Sequence, residues 1–94
     1  MSETLPTVRN NTALSRFELE TEAGTAVVNY RATPGALMFY HTEVPAPLRE
    51  RGIASHLVRG ALEQARAAGL KVAPRCGFVA HYIRSHPEFT DLVE

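Results

Sequence analysis

The sequence predicts a mixed α/β layer fold, an antiparallel β-meander followed by a β-α-β-α core, in the order β-β-β-α-β-α. Three observations carry this expectation. Two early stretches alternate apolar and polar residues, and a third is apolar on both faces, with turn signals between them. One long stretch, Gly52 to Ala68, carries apolar residues at helical spacing. A short apolar run and a second helical run complete the chain.

The elements follow in order. Residues 1–12 are polar and are expected to form a flexible N-terminal segment, with residues 13–94 as a single domain. In SRFELETEA, Phe17 and Leu19 face one way and Arg16, Glu18 and Glu20 the other, as in a half-buried strand. Ala23-Gly24 marks a turn. TAVVNYRAT places Ala26, Val28 and Tyr30 on one face, and Thr33-Pro34-Gly35 is a second turn. ALMFYHTEV is apolar on both faces and reads as the central strand. Pro45 and Pro47 end it, because proline cannot continue the ladder. Ile53, Leu57, Ala61, Leu62 and Ala65 form the buried stripe of the helix, and Gly69 stops it. LKVAP is a short strand. A second helix runs from about Gly77 to Ser85, and the tail packs Phe89 and Leu92.

Ninety-four residues with 45% apolar content suit one small globular domain. Ten basic residues balance ten acidic ones, which argues against a dedicated nucleic-acid binder. No apolar run approaches membrane-spanning length, and the first residues lack the pattern of a signal or transit peptide. A soluble, cytoplasmic protein is expected. The lone cysteine, Cys76, cannot form an internal disulfide. The four histidines lack metal-ligand spacing, so no metal site is expected.

The start of the first helix is chemically unusual. Leu48, Arg49, Glu50 and Arg51 precede it, and none is a good cap. Uncapped N–H groups at the positive end of a helix can hold an anion. Gly52 allows a tight turn and a close approach, Ala54 is small, and Arg49 and Arg51 bring positive charge. Together these residues describe a diphosphate cradle.

Arg49-x-x-Gly52-x-Ala54 fits [Q/R]-x-x-G-x-[G/A]. It resembles the coenzyme A pyrophosphate loop of the GNAT superfamily of acyl-CoA-dependent N-acetyltransferases. The longer stretch from Phe39 to Phe89, with its His-Thr-x-Val strand, Arg-Gly loop and Pro-x-Cys before the last helix, is similar to the small single-domain GNAT-like proteins. The resemblance implies an acetyl-CoA-dependent N-acetyltransferase acting on an amine acceptor, such as a protein lysine or terminus. A non-catalytic acyl-CoA-binding module is the alternative. It implies that Arg49, Glu50, Arg51, Gly52, Ile53, Ala54 and Ser55 hold the pyrophosphate. It also implies that the strand end around Glu43 and Val44 pairs with the pantetheine arm. The two acceptor-side helices that ordinary GNAT enzymes carry after their first strand have no counterpart in this sequence.

Acetyl transfer to an amine needs a base, oxyanion donors and an acid. Glu43 and His41 are the candidate bases. The resemblance makes Tyr82 the candidate acid, although its helix ends in His86-Pro87-Glu88-Phe89 rather than the usual Gly-Phe. Cys76 stands where a helix start and Arg75 favour negative charge. It is a candidate nucleophile for a route through an acetyl-cysteine, or else a small buried residue lining the pocket.

Overall fold

The computed structural model describes residues 7–49 and 51–94. A five-stranded sheet forms in the order β1-β2-β3-β4-β5, from Arg9–Asn11, Arg16–Thr21, Gly24–Thr33, Ala36–Glu43 and Lys71–Pro74. The first four strands pair antiparallel and β5 joins β4 parallel. The helix α1, Ile53–Ala67, connects β4 to β5, and α2, Gly77–Ser85, follows β5. A 3-10 segment, Pro87–Leu92, ends the fold. The expected order of six elements is therefore present.

Both helices pack on one face of the sheet. Ile53, Leu57, Val58, Ala61, Leu62 and Ala65 of α1 share a single cluster with Val79, Tyr82 and Ile83 of α2 and with Phe17, Val28 and Phe39 of the sheet. Leu57 and Leu62 are completely enclosed. Each contributes about 1.5–3 kcal/mol by leaving water. Phe89 and Leu92 are buried, so the tail does close the core. Arg66 holds it with paired bonds to Asp91 at 2.8 and 3.0 Å and a third to the Glu88 carbonyl at 2.7 Å. Gly69 ends α1 as expected, in the left-handed region at φ 74°. Its N–H reaches the Arg66 carbonyl and that of Leu70 reaches Ala65, the paired bonds that satisfy a helix C-terminus.

Three features differ from the sequence expectation. Residues 1–6 of the N-terminal segment lie outside the described residues, but Arg9–Asn11 form β1, paired Arg9↔Glu18 to Asn11↔Arg16. Val8 is buried against α1. The Gln64 side chain donates to its carbonyl at 2.6 Å, and Gly60 leaves the room it needs. Second, Glu18 does not face solvent. It is 4% exposed, bonded by Arg9 at 2.6 Å, Arg16 at 2.7 Å and Asn11 at 2.9 Å. These bonds, from Arg16 first, hold its carboxyl down at a pKa of about 2. Third, β4 is the second strand from the edge rather than the centre.

Candidate functional site

The site begins where β4 outruns its neighbour. The β4–β5 ladder extends from Ala36↔Lys71 to Phe39↔Pro74. There β5 turns away. The N–H groups of Arg75 and Cys76 both donate to the Phe39 carbonyl, at 2.9 and 3.0 Å, and α2 begins at Gly77. β4 continues to Glu43, paired only to β3. Among the described residues, no strand lies beside Tyr40 to Glu43 on the other edge. Backbone polar groups there face a gap that an extended ligand can fill as an added strand.

A bulge decides which side chains enter that gap. The register passes from Tyr30↔Phe39 to Asn29↔His41 and leaves Tyr40 as the extra residue. Before the bulge Leu37 and Phe39 face the helices; after it Thr42 and Val44 do. Thr42 Oγ1 consequently meets Cys76 Sγ at 3.2 Å. Cys76 is the N-cap residue of α2 and is 9% exposed. His41 and Glu43 are exposed on the opposite face, at the rim of the same gap.

Beyond Val44 the chain makes a 3-10 turn, Ala46–Leu48, pinned by buried Leu48. Arg49 Nε donates to the Val44 carbonyl at 3.2 Å, tying the loop to the end of β4. Gly52 then takes φ 78° and ψ 6° as the N-cap of α1, and no side chain caps the helix. The first helical bond runs from His56 N–H to the Gly52 carbonyl at 3.0 Å. The amides of Ile53, Ala54 and Ser55 precede it, with no carbonyl a turn behind them in the helix. Space beside Gly52 is open, so nothing would meet a Cβ there except the strain of a positive φ. No acidic residue lies in the first turn of α1, and Arg49 and Arg51 are exposed beside it.

Two depressions join these parts. One, of about 270 Å³, includes Gly52, Ser55 and Leu48 in its wall. The other, of about 310 Å³, includes His41, Thr42 and Glu43. Val44, Arg49, Ala54 and Phe78 line both, so they form one groove from the helix start to the β4 edge. It lies outside the carboxyl ends of β4 and β5, where open α/β sheets bind ligands.

The sequence model described as GCN5-related N-acetyl-transferase matches residues 16–92. This chain belongs to the GCN5-related N-acetyltransferase family. Among individual relatives, Protein NATD1 of Gallus gallus and of Mus musculus are each 40% identical over 47 residues, covering 50% of this chain and 43% of theirs. Protein NATD1 of Homo sapiens is 40% identical over the same length, 42% of its own chain. The matched stretch therefore spans less than half of these curated relatives.

Within this family fold, the residues singled out in the sequence separate into three groups. Arg49, Gly52, Ala54 and Ser55 line the helix-start end of the groove and Val44 its middle. Ile53 is buried in the core and is not among the groove-lining residues. Arg51 is exposed beside Gly52, and Glu50 lies outside the described residues. His41 and Glu43 line the β4 end, and Cys76 reaches it through Thr42. Tyr82 is placed differently. It is 4% exposed, stacked on His86 with ring centroids 3.9 Å apart and flanked by Phe89, and it is not among the groove-lining residues. Its helical spacing puts it on the buried stripe of α2 with Val79 and Ile83. Leu48, Thr42 and Phe78 are the groove residues that sequence reasoning missed. Thr42 enters only because of the bulge, which no alternation pattern reveals. Phe78, an aromatic residue directly after Gly77, was the one available signal.

Proposed function

We propose that the protein is an acetyl-CoA-dependent N-acetyltransferase acting on an amine acceptor. The observation that carries this reading is the single groove joining an uncapped, glycine-started helix to an unpaired β4 edge. The diphosphate of coenzyme A binds the amides of Gly52 to Ser55, helped by the helix dipole and by Arg49 and Arg51. The pantetheine arm lies along Tyr40 to Val44, hydrogen-bonded to the strand. The thioester then arrives near Thr42 and Cys76.

In direct transfer the acceptor nitrogen attacks the thioester carbonyl carbon. The C–N bond forms, the C–S bond breaks, the electron pair leaves on sulfur, and the second proton shed by the nitrogen passes through water to that thiolate. Glu43 or His41, at the groove rim, takes the ammonium proton, directly or through water. The open outer face of the sheet suits an exposed lysine or a chain terminus rather than an enclosed metabolite. Cys76, in contact with Thr42 at this end of the groove, offers a second route. Its Sγ attacks the thioester carbon, and coenzyme A leaves and takes up the proton that the thiol loses. The amine then displaces the cysteine sulfur, which regains a proton.

The test is release of free coenzyme A from acetyl-CoA in the presence of lysine-bearing peptides. Native protein should turn over and Glu43→Gln should be slower. Intact mass after brief exposure to acetyl-CoA separates the routes: an acetyl adduct absent from Cys76→Ser supports the cysteine route. Binding without release for any amine would leave a non-catalytic acyl-CoA module and refute the enzyme.

A further inference from the structure

Phe78 is a large apolar side chain in an unexpected place. It sits in the first turn of α2 and is 37% exposed. Among the described residues, the other exposed large apolar ones, Leu14, Tyr40 and Val93, stand in a turn, at the bulge and near residue 94. Phe78 instead lines both halves of the groove. It shares that position with Val44 from the end of β4, Ala54 from the first turn of α1, and Arg49. Three elements thus bring apolar side chains to the waist between the helix start and the reacting end. Gly77 beside it has open space at its Cβ position, so the backbone next to the ring is unobstructed.

What passes through a waist tells what is recognised. A ligand joining a diphosphate to a thioester must thread a chain of methylenes, two amides and a dimethyl-substituted carbon. The amides match the free β4 edge. The hydrocarbon needs an apolar cover on the side away from the strand, and the helix-start amides supply none.

We propose that Phe78 is a specificity-determining residue that covers the pantetheine arm. It makes the protein select the acylated phosphopantetheine arm over the nucleotide alone. The proposal rests on the coenzyme A reading above and goes beyond it by assigning the arm to one side chain.

Calorimetric titrations with acetyl-CoA and with 3′-phosphoadenosine 5′-diphosphate, which keeps the diphosphate and lacks the arm, test it. Native protein should bind acetyl-CoA at least about tenfold more tightly than this nucleotide. Phe78→Ala should lose about tenfold in acetyl-CoA affinity, with no loss for the nucleotide, so that the preference collapses. Phe78→Leu, which keeps apolar bulk, should retain most of it and controls for folding. Phe78→Trp adds the sole tryptophan of the chain. Its fluorescence should change with acetyl-CoA and not with the nucleotide. Equal acetyl-CoA affinity for native protein and Phe78→Ala would overturn the proposal and leave the coenzyme A reading standing. Equal losses for both ligands would also overturn it. Absence of acetyl-CoA binding by native protein would remove the coenzyme A reading itself.

Discussion

Replacing Gly52 with aspartate or with asparagine separates what the helix start does for stability from what it does for a ligand. Gly52 holds φ 78°, a conformation costing most residues about 1–2 kcal/mol but tolerated best by Asn and Asp. Either side chain would project into open space, so neither meets a clash. The two variants are nearly isosteric and differ in one charge. At the positive end of α1, the carboxylate gains about 0.3–1 kcal/mol over the amide. Gly52→Asp should therefore be as stable as Gly52→Asn, or slightly more so. Ligand binding should show the opposite order. A carboxylate about 6 Å from a bound diphosphate charge, at an effective dielectric of about 20–40, is disfavoured by about 1.4–2.8 kcal/mol. That is roughly a ten- to hundredfold loss in acetyl-CoA affinity relative to asparagine. Thermal denaturation and calorimetric titration at low salt measure the two effects. Equal affinity in the two variants, with native protein binding normally, would refute an anion at this helix start.

Three further outcomes follow from the packing. The ordinary carboxyl pKa of 4.5 falls to about 2 for Glu18, through its bonds to Arg16, Arg9 and Asn11. Because the folded pKa is depressed, the stabilisation is full above about pH 4.5 and is lost as the pH falls toward 2. The shift is equivalent to about 3 kcal/mol, and solvent screening through exposed Arg9 reduces it to about 2 kcal/mol. Glu18→Gln should therefore melt about 10 °C below native protein at pH 7. The gap should narrow near pH 2, and an equal gap at both pH values would count against the cluster. Gly60→Ala should destabilise by about 1–3 kcal/mol despite alanine's better helix propensity, since the new Cβ would stand 2.6 Å from Val8. Adding Val8→Ala should recover part of the loss, whereas a single variant more stable than native protein would contradict the close approach. Leu62→Ala, at the centre of the α1 contact, should cost about 2–5 kcal/mol in chemical denaturation. A loss below 1 kcal/mol would mean the site collapses without a cavity.

The parts of this fold legible in the sequence are those with local causes. Gly69 and Gly24 take the positive φ that their turn positions require, and every residue of the expected α1 stripe is buried, joined by Val58. The uncapped start of α1 was legible too, because its signal is also local: a missing cap, a glycine and two arginines. What stayed hidden depends on contacts distant in sequence. β1 is Arg9-Asn10-Asn11, with no apolar alternation, and it becomes a strand because Glu18 and buried Val8 draw it in. Glu18 reads as a surface carboxylate until the β1 side chains cover it. The bulge at Tyr40 moves Thr42 inward by one residue, and strand periodicity assumes that no such residue exists. Tyr82 was singled out by resemblance alone, with a helix ending that departs from the family's, and the apolar stripe of α2 carries it into the core.

Backbone amide resonances of isotopically labelled protein, followed during an acetyl-CoA titration, test the central claim most directly, because they report where the ligand sits. The largest changes should fall at Gly52 to Ser55 and at Tyr40 to Val44, with smaller ones at Cys76 and Phe78. The larger depression of about 370 Å³ beside Val8, Gly60 and Gln64 should remain unaffected. Changes concentrated there instead, or none at saturating ligand, would contradict a coenzyme A groove between β4 and α1.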